Sequence, residues 1–346
     1  MNHFNTQSAF LNYMENPNPD DLGGTVEDFL NYLGKASAIL LKGDDSTRTR
    51  AVCTLLHGNE PSGVKAVFKY LKSKQTPLVD TLFIIASVEA AMTPPFFSQR
   101  MLEGKRDLNR CFSPPFDDHE GHVANAILSL ITQVNPECLL DIHNTSGSGP
   151  AFAVAIIEDQ RHVALASLFS NDLIVSDLRI GALMEISEKD GLTVITIECG
   201  GAQDTSSQII ADEGLFRYLS SEYVMGEENE DYPVNIYRNP IRLETQGQAE
   251  VAYYPEQNHN AAITLPEQAD KFNYGMLTKD ESIGYLGPAG ITALSAKDYL
   301  GKERLHEFFK AHNGKLYPRH PLKVFMVTTN PFIAKTDCLF YFIACV

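Results

Sequence analysis

Four clusters of polar residues carry side chains that suit metal binding and acid–base chemistry. Three of them come directly after apolar runs typical of buried strands, and one lies in a long polar loop. The clusters are His57-Gly58-Asn59-Glu60, Arg106-Asp107-Leu108-Asn109-Arg110, Asp141-Ile142-His143-Asn144 and Glu198-Cys199-Gly200-Gly201. Because ligands of open α/β sheets bind beyond the carboxyl ends of the strands, this placement predicts a site at that edge.

Two histidines and one glutamate in these clusters match the ligands that zinc prefers. A catalytic zinc site has three protein ligands plus a water, and two His with one carboxylate is one such set. His57 and Glu60 lie three residues apart and can converge on one ion, while His143 would arrive from a neighbouring strand. An isolated H-x-x-E pattern is more often structural, so the prediction depends on the whole ordered set.

Strand-like and helix-like patterns alternate along the segments that would position these clusters. Helical patterns cover Phe10–Met14, Val26–Leu33, the residues after Pro61, and Val123–Val134. Strand-like runs cover Ala36–Leu41, Ala51–Leu56, Leu82–Ala86, Cys138–Ile142 and Leu192–Ile197. Almost wholly apolar runs fit strands that are covered on both faces. The alternation predicts an α/β fold with a mixed or parallel sheet flanked by helices.

The sequence changes character after the acidic segment Glu227–Asp231. Later strand-like runs, such as Val251–Tyr254 and Lys323–Val327, are short and broken by Gly and Pro, which is typical of a smaller β-rich domain. We therefore predict a catalytic domain over residues 1–228, with an N-terminal extension over 1–40, and a β-rich domain over 229–346.

Composition and charge limit the classes of partner. The chain has 346 residues, of which 44% are hydrophobic and 21% charged, as in a globular protein. A formal net charge of −16 opposes binding to nucleic acid and to anionic membranes, because the long-range field repels both. A small anionic substrate is compatible with this charge if a few arginines converge in a cleft.

The lack of targeting signals favours a cytoplasmic protein. No apolar run approaches the ~20 residues of a membrane helix, and the first residues lack the features of a signal peptide. The six cysteines show no paired spacing, and we expect at least Cys53, Cys111, Cys138 and Cys199 to be buried free thiols. A homo-oligomer remains possible.

The ordered clusters resemble the zinc carboxypeptidase superfamily and, within it, the succinylglutamate desuccinylase/aspartoacylase family. The resemblance covers about residues 50 to 205 and rests on four motifs in the family's order. They are His57-Gly58-Asn59-Glu60, Asp107-Leu108-Asn109-Arg110, Asp141-Ile142-His143-Asn144-Thr145, and Thr196-Ile197-Glu198. The family's fold is a carboxypeptidase-like α/β/α sandwich followed by a β-rich domain, which agrees with the patterns above.

The resemblance implies a division of roles in the active site. His57, Glu60 and His143 would hold one zinc ion per chain, and Glu198 would be the general base. Arg100 is the candidate for stabilising the oxyanion, because its distance from the Asp107 motif resembles that in some superfamily members; Arg106 is the competing candidate. Asn109 and Arg110 would grip the carboxylate of the substrate, with Asn144 a further substrate-binding residue.

These roles imply hydrolysis of the amide bond of an N-acyl amino acid. Two alternatives stay open: a metallocarboxypeptidase that acts on short peptides, and a non-catalytic protein of the same fold that binds a metal or small ligand. In aspartoacylases an arginine binds the acid of the acyl group. The corresponding stretch here, Glu185–Asp190, contains no arginine. The acyl group is therefore open as well.

Overall fold

The computed structural model describes residues 8–145, 147–226, 230–336 and 338–344. The chain divides into two compact units. Unit 1 comprises Met1–Asn144, Ala151–Val175 and Arg179–Ile236, and unit 2 comprises Thr145–Pro150, Ser176–Leu178 and Tyr237–Val346. The predicted boundary between residues 228 and 229 lies outside the described residues.

A nine-stranded mixed sheet forms the centre of unit 1. Its strands are β1 (Asn12–Glu15), β2 (Ser37–Leu41), β3 (Asp45–Thr54), β4 (Val79–Ile85), β5 (Cys138–Thr145), β6 (Phe152–Ala155), β7 (Asp172–Val175), β8 (Thr193–Gly201) and β9 (Asn235–Arg238). Their order is β1-β2-β4-β3-β5-β8-β6-β7-β9. β3 pairs in parallel with β4 and β5, whereas β2 is antiparallel to β4 and β6 is antiparallel to β8.

Helices follow most of these strands along the chain. They are α1 (Val26–Leu33), α2 (Ser62–Lys72), α3 (Val88–Met92), α4 (His119–Val134), α5 (Gln160–Ser167), α6 (Ile186–Asp190) and α7 (Thr205–Ser220). The apolar faces of α1, α2 and α7 pack into one buried cluster with the strands; Phe29, Val67 and Tyr218 are among its members. This arrangement confirms the predicted α/β class.

Helix α1 shows why the local sequence predicted some elements well. Thr25 Oγ1 accepts the backbone N–H of Asp28 at 3.1 Å, and Asp28 Oδ2 accepts that of Thr25 at 3.1 Å. This reciprocal cap satisfies donors at the start of the helix, and Gly34, with φ +70°, ends it. The helix covers the predicted residues Val26–Leu33.

The predicted helix over Phe10–Met14 is wrong, because Asn12–Met14 belong to strand β1 and the two residues before them are not helical. β1 pairs in parallel with β2, with Asn12 opposite Ser37. Asn12 donates its backbone N–H to Ala36 O at 2.9 Å, and Asn16 donates to Leu40 O at 2.9 Å. A five-residue apolar pattern is too short to choose between helix and strand, and the edge of β2 supplies the partner that decides.

Unit 2 is built mainly from strands. They are β10 (Ile241–Thr245), β11 (Val251–Tyr253), β12 (Ile263–Leu265), β13 (Met276–Leu277), β14 (Gly284–Leu286), β15 (Leu294–Lys297), β16 (Phe309–His312), β17 (Lys315–Pro318), β18 (Leu322–Phe325) and β19 (Phe340–Ala344). Two five-stranded sheets have the orders β13-β18-β19-β10-β15 and β11-β12-β14-β17-β16. Two short helices, α8 (Leu305–Phe308) and α9 (Pro331–Thr336), accompany them. The predicted β-rich character of the C-terminal part is confirmed.

The thiols and the helix lengths bear on two further expectations. Cys53, Cys111, Cys138, Cys199 and Cys338 are buried free thiols, which confirms the prediction for the first four; Cys345 lies outside the described residues. Within the described part of the chain, every helix is too short or too polar to cross a bilayer.

Candidate metal centre and active site

A tight turn after β3 brings His57 and Glu60 to the carboxyl edge of the sheet. Glu60 donates its backbone N–H to His57 O at 3.1 Å, and Gly58 donates to Arg100 O at 2.9 Å. A Cβ at Gly58 would lie 2.6 Å from both Ala91 N and Gln99 O, so only glycine fits between these backbone segments. The glycine of the H-G-N-E motif is therefore required by close packing beneath the site.

His143 reaches the same place from the neighbouring strand β5. The prediction ended the strand before His143. In the structure β5 continues to Thr145, so His143 lies inside the strand, near its carboxyl end. The difference arises because backbone hydrogen bonds of a sheet continue through polar residues that an apolar pattern excludes. β3 and β5 are parallel neighbours with Thr54 opposite Ile142, which explains why the residues following each strand meet.

The three predicted metal ligands form one compact group. Glu60 joins the histidines through both carboxylate oxygens: His57 Nδ1 lies 2.8 Å from Oε1, and His143 Nδ1 lies 2.7 Å from Oε2. One ligand atom from each residue lies within 4.8 Å of the others. All three side chains are buried. The group could hold a metal ion.

The chemistry of the surrounding groups also fits a metal ion. Each histidine turns Nδ1 towards Glu60 and sets its other ring nitrogen against a second carboxylate. His57 Nε2 lies 3.0 Å from Asp107 Oδ1, and His143 Nε2 lies 2.9 Å from Asp141 Oδ2. Metal-binding histidines almost always have such a partner, which fixes the tautomer and leaves the opposite nitrogen to face the ion.

The motifs by themselves implied no individual role for Asp107 or Asp141. A signal for Asp141 existed, because residues two apart on a strand share a face and Asp141 precedes His143 by two on β5. Asp107 is fifty residues from His57, and no local pattern connects them.

Electrostatic interactions within the group favour the charged forms of Glu60, His143 and Asp107. Burial alone would raise the pKa of Glu60, but the imidazoles of His57 and His143 hold it below its usual range. Burial would likewise lower the pKa of His143, yet Asp141 and Glu60 raise it well above its ordinary value. Burial opposes ionisation of Asp107 too, and His57 and Arg100 keep its pKa low. Electrostatic attraction as well as packing therefore holds these side chains in place.

Glu198 lies on β8, beside β5 in the sheet, and is opposite Phe152 of β6. The strand extends beyond the predicted end at Ile197 to Gly201, so Glu198 is inside it. Its Oε2 atom is buried and has no hydrogen-bond partner within the described residues. Burial raises the pKa of Glu198 to about 7; charge on His143 lowers it, and charge on Glu60 raises it. A buried carboxyl with this pKa can exchange a proton near neutral pH.

The two arginines that the sequence left as competitors occupy different surroundings. Arg100 places Nη2 2.7 Å from His57 Nε2 and 2.9 Å from Asp107 Oδ2, and its Nη1 lies 3.4 Å from Glu60 Oε1. Arg106 instead donates from Nε to Asp118 Oδ2 at 2.5 Å. Arg100 therefore contacts the candidate metal group, whereas the described contacts of Arg106 lead away from it.

The predicted substrate-binding residues differ in how fully they are engaged. Asn109 Oδ1 accepts the backbone N–H of Leu183 at 2.9 Å, and Arg110 Nη1 donates to Asn109 O at 2.9 Å. Arg110 is partly exposed. These two side chains adjoin Asp107 through the short helical turn Leu108–Arg110.

Asn144 has a different environment from the one expected of a substrate-binding residue. Its Oδ1 accepts the backbone N–H of Ser62 at 3.0 Å, and its Nδ2 donates to Ser62 Oγ at 2.9 Å and Gly200 O at 3.0 Å. The residue is 2% exposed. These hydrogen bonds connect β5 to the start of α2 and to β8. The side-chain amide of Asn144 therefore stabilises the structure around the site.

Comparisons with known proteins agree with this architecture. The model of the succinylglutamate desuccinylase/aspartoacylase catalytic domain matches residues 46–220. A search of curated proteins gave no match.

Solved structures share the fold at low sequence identity. A succinylglutamate desuccinylase/aspartoacylase from Rhodobacter sphaeroides has a TM-score of 0.57 at 14% identity, covering 89% of this chain and 88% of that one. An aspartoacylase family protein from Mesorhizobium loti has a TM-score of 0.53 at 15% identity, covering 88% and 87%. A succinylglutamate desuccinylase from Vibrio parahaemolyticus has a TM-score of 0.53 at 16% identity, covering 86% and 81%.

These structures establish the fold, and the domain match spans half of the chain, including all four motifs. The chain therefore belongs to the succinylglutamate desuccinylase/aspartoacylase catalytic domain family.

Proposed function

We propose that the protein is a zinc-dependent hydrolase that cleaves the amide bond of an N-acyl amino acid. The observation that carries the proposal is the buried His57–Glu60–His143 group together with Glu198 on the adjacent strand, whose buried Oε2 has no hydrogen-bond partner among the described residues. When bound by His57, Glu60 and His143, one zinc ion per chain would supply Lewis-acid chemistry that acidifies water and polarises the scissile carbonyl.

Glu198 is the general base in this proposal. Its carboxylate takes a proton from the attacking water and then gives that proton to the leaving amine. Burial supports this role, because in the metal-free protein it raises the pKa of Glu198 to about 7, where a carboxyl can both accept and release a proton. A surface glutamate would remain ionised and be a poor acid for the second step.

Arg100 stabilises the negative charge that develops on the carbonyl oxygen. A fixed cation beside the metal ligands lowers the energy of the transition state more than that of the substrate. The contacts of Arg100 with His57 and Asp107 support this assignment over Arg106. Asp107 and Asp141 hold the two imidazoles through Nε2 and would leave the opposite ring nitrogens available to bind the metal.

Asn109 and Arg110 bind the carboxylate of the amino-acid part of the substrate. The planar guanidinium of Arg110 can make two parallel hydrogen bonds to a carboxylate, which selects free acids over amides or esters. A cationic group here also offsets the acidic net charge of −16 near an anionic substrate. Asn144 contributes indirectly, through its bonds to Ser62 and Gly200.

Amino-acid release from a panel of substrates tests the proposal. The zinc-loaded protein is incubated with N-acetyl, N-succinyl and N-formyl amino acids and with several dipeptides, beside the Glu198→Gln variant. We expect release from at least one N-acyl class, loss of that release in the variant, and equal zinc content in both. Release from dipeptides alone would make the protein a peptidase, and no release from any substrate would contradict the hydrolase proposal.

A further inference from the structure

A turn that precedes β8 contacts the segment carrying Asn109 and Arg110. This turn, called here the 180–185 turn, belongs to unit 1, as does the contacted segment. Phe112 donates its backbone N–H to Gly181 O at 2.9 Å, and Leu183 donates its own to Asn109 Oδ1 at 2.9 Å. Two hydrogen bonds of opposite direction therefore join the turn to the segment 109–112, one of them directly to Asn109.

The turn also lies against the backbone of Arg110. Gly181 has φ +79°, and a Cβ at this position would lie 2.7 Å from Arg110 O. Both facts restrict the position to glycine, because other residues would strain the turn and displace Arg110. The backbone carbonyl of Arg110 thus packs directly against Gly181 of the turn.

Glu185 holds the 180–185 turn in this shape. Its Oε1 accepts the backbone N–H of Ile180 at 2.7 Å and that of Ala182 at 3.0 Å, one on each side of Gly181. A carboxylate that accepts two backbone N–H groups makes charge-assisted bonds, which are stronger than neutral ones. Without it, both amides lose their acceptor at the point where the turn meets Arg110.

We infer that Glu185 is a positioning residue for the recognition of the substrate carboxylate. It acts through the turn: the Leu183 N–H fixes the amide of Asn109 with its oxygen towards the turn, and the contact at Gly181 sets the backbone of Arg110. Glu185 itself does not contact the substrate in this proposal. The inference rests on the proposed function, which assigns the carboxylate grip to Asn109 and Arg110.

Kinetics of Glu185→Ala, Glu185→Gln and the control Glu188→Gln test the inference. Glu188 is the matched control, because it lies three residues further on, is exposed, and pairs with Arg179. In Glu185→Ala we expect KM for N-acyl amino acids to rise roughly tenfold, with kcat little changed. Substrates capped as carboxamides should show no such rise. Glu185→Gln should restore most of the affinity, because its amide oxygen can accept both N–H groups.

Amide hydrogen exchange supplies a readout that does not depend on turnover. The peptide spanning Asn109–Phe112 should exchange faster in Glu185→Ala than in the wild type or in Glu188→Gln. A wild type active on acyl amino acids, combined with unchanged KM and exchange in Glu185→Ala, would overturn the inference alone. So would an equal fall of kcat on acids and carboxamides without a change in KM.

Failure of the proposed function is distinguishable from these results. A wild type that releases nothing from any acyl amino acid contradicts the function, and the exchange measurement then decides the role of Glu185. Faster exchange supports its hold on the segment, and unchanged exchange overturns it. Gly181→Ala provides an independent variant, which should raise KM in the same direction through Arg110.

Discussion

The two histidines of the candidate centre are held by different kinds of structure. His143 and its partner Asp141 lie on the central strand β5, and the side chain of Asp141 is 0% exposed. His57 lies in a turn, and its partner Asp107 belongs to a loop and shares its carboxylate with Arg100. We call these the strand half and the loop half.

This difference indicates that the two halves have different roles. A carboxylate that serves one imidazole inside a sheet has little freedom, which suits a group that holds an ion. A carboxylate shared between an imidazole and an arginine couples the proposed metal ligands to Arg100, the group proposed to stabilise developing charge. The strand half should therefore control metal affinity, and the loop half should control turnover as well.

The largest expected effect comes from removing the ligand of the strand half. His143→Ala should weaken zinc binding by more than about a thousandfold, because it deletes a ligand and leaves Asp141 without its partner. Competition with a chelating dye measures this affinity. Retention of one tightly bound zinc ion per chain would contradict the role of His143.

The next effect breaks the loop half without removing a metal ligand. Arg100→Ala should lower kcat by roughly a hundredfold to a thousandfold, as expected for loss of a group that stabilises the oxyanion. Zinc content should be unchanged, and Arg106→Ala provides the matched control with nearly normal kcat. Equal losses in the two variants would reject the preference for Arg100.

A third effect concerns the pH dependence of the metal-free protein. Glu198 has an ordinary pKa of 4.5 and a folded-state pKa of about 7, so the folded protein binds its proton more tightly than the unfolded chain does. The unfolding free energy should therefore fall between pH 4.5 and 7, by about 3 kcal/mol from this group.

Urea unfolding of the wild type and of Glu198→Gln at pH 5 and pH 8 measures this contribution. The variant lacks the titrating group, so its stability relative to the wild type should be greater at pH 8 than at pH 5. Because the other titrating side chains are common to both proteins, the difference between the two pH values isolates Glu198. An equal difference at both pH values would show that the carboxyl is not desolvated.

The smallest effects come from the carboxylates that contact the two histidines. Asp141→Asn and Asp107→Asn should each weaken zinc binding, by roughly tenfold to a hundredfold, as is usual for partners of metal-binding histidines. We expect the larger loss of affinity for Asp141→Asn and the larger loss of kcat for Asp107→Asn. The reverse order, measured by chelator competition and steady-state kinetics, would refute the division between the halves.

Local signals predicted the elements whose stability is largely local. The helical pattern over Val26–Leu33 predicted α1, which the structure caps locally with Thr25 and Asp28, and the long apolar run before His57 predicted β3. Phe10–Met14 was misassigned because the strand it forms depends on β2, more than twenty residues away. The ends of β5 and β8 were placed too early for a related reason, since neighbouring strands continue the pairing through His143 and Glu198.

The amino-acid sequence alone specified which polar groups the site contains and in what order, and from them it predicted His57, Glu60 and His143 as metal ligands and Glu198 as a base. The prediction came from the four ordered motifs and their resemblance to one family, because each motif keeps its residues together on one turn or strand end. The tertiary structure decided which arginine contacts the group, which carboxylates face the histidines, and how Asn144 is engaged. Hydrogen bonding and desolvation act between groups distant in sequence, so only the folded chain sets these contacts and the pKa of Glu198.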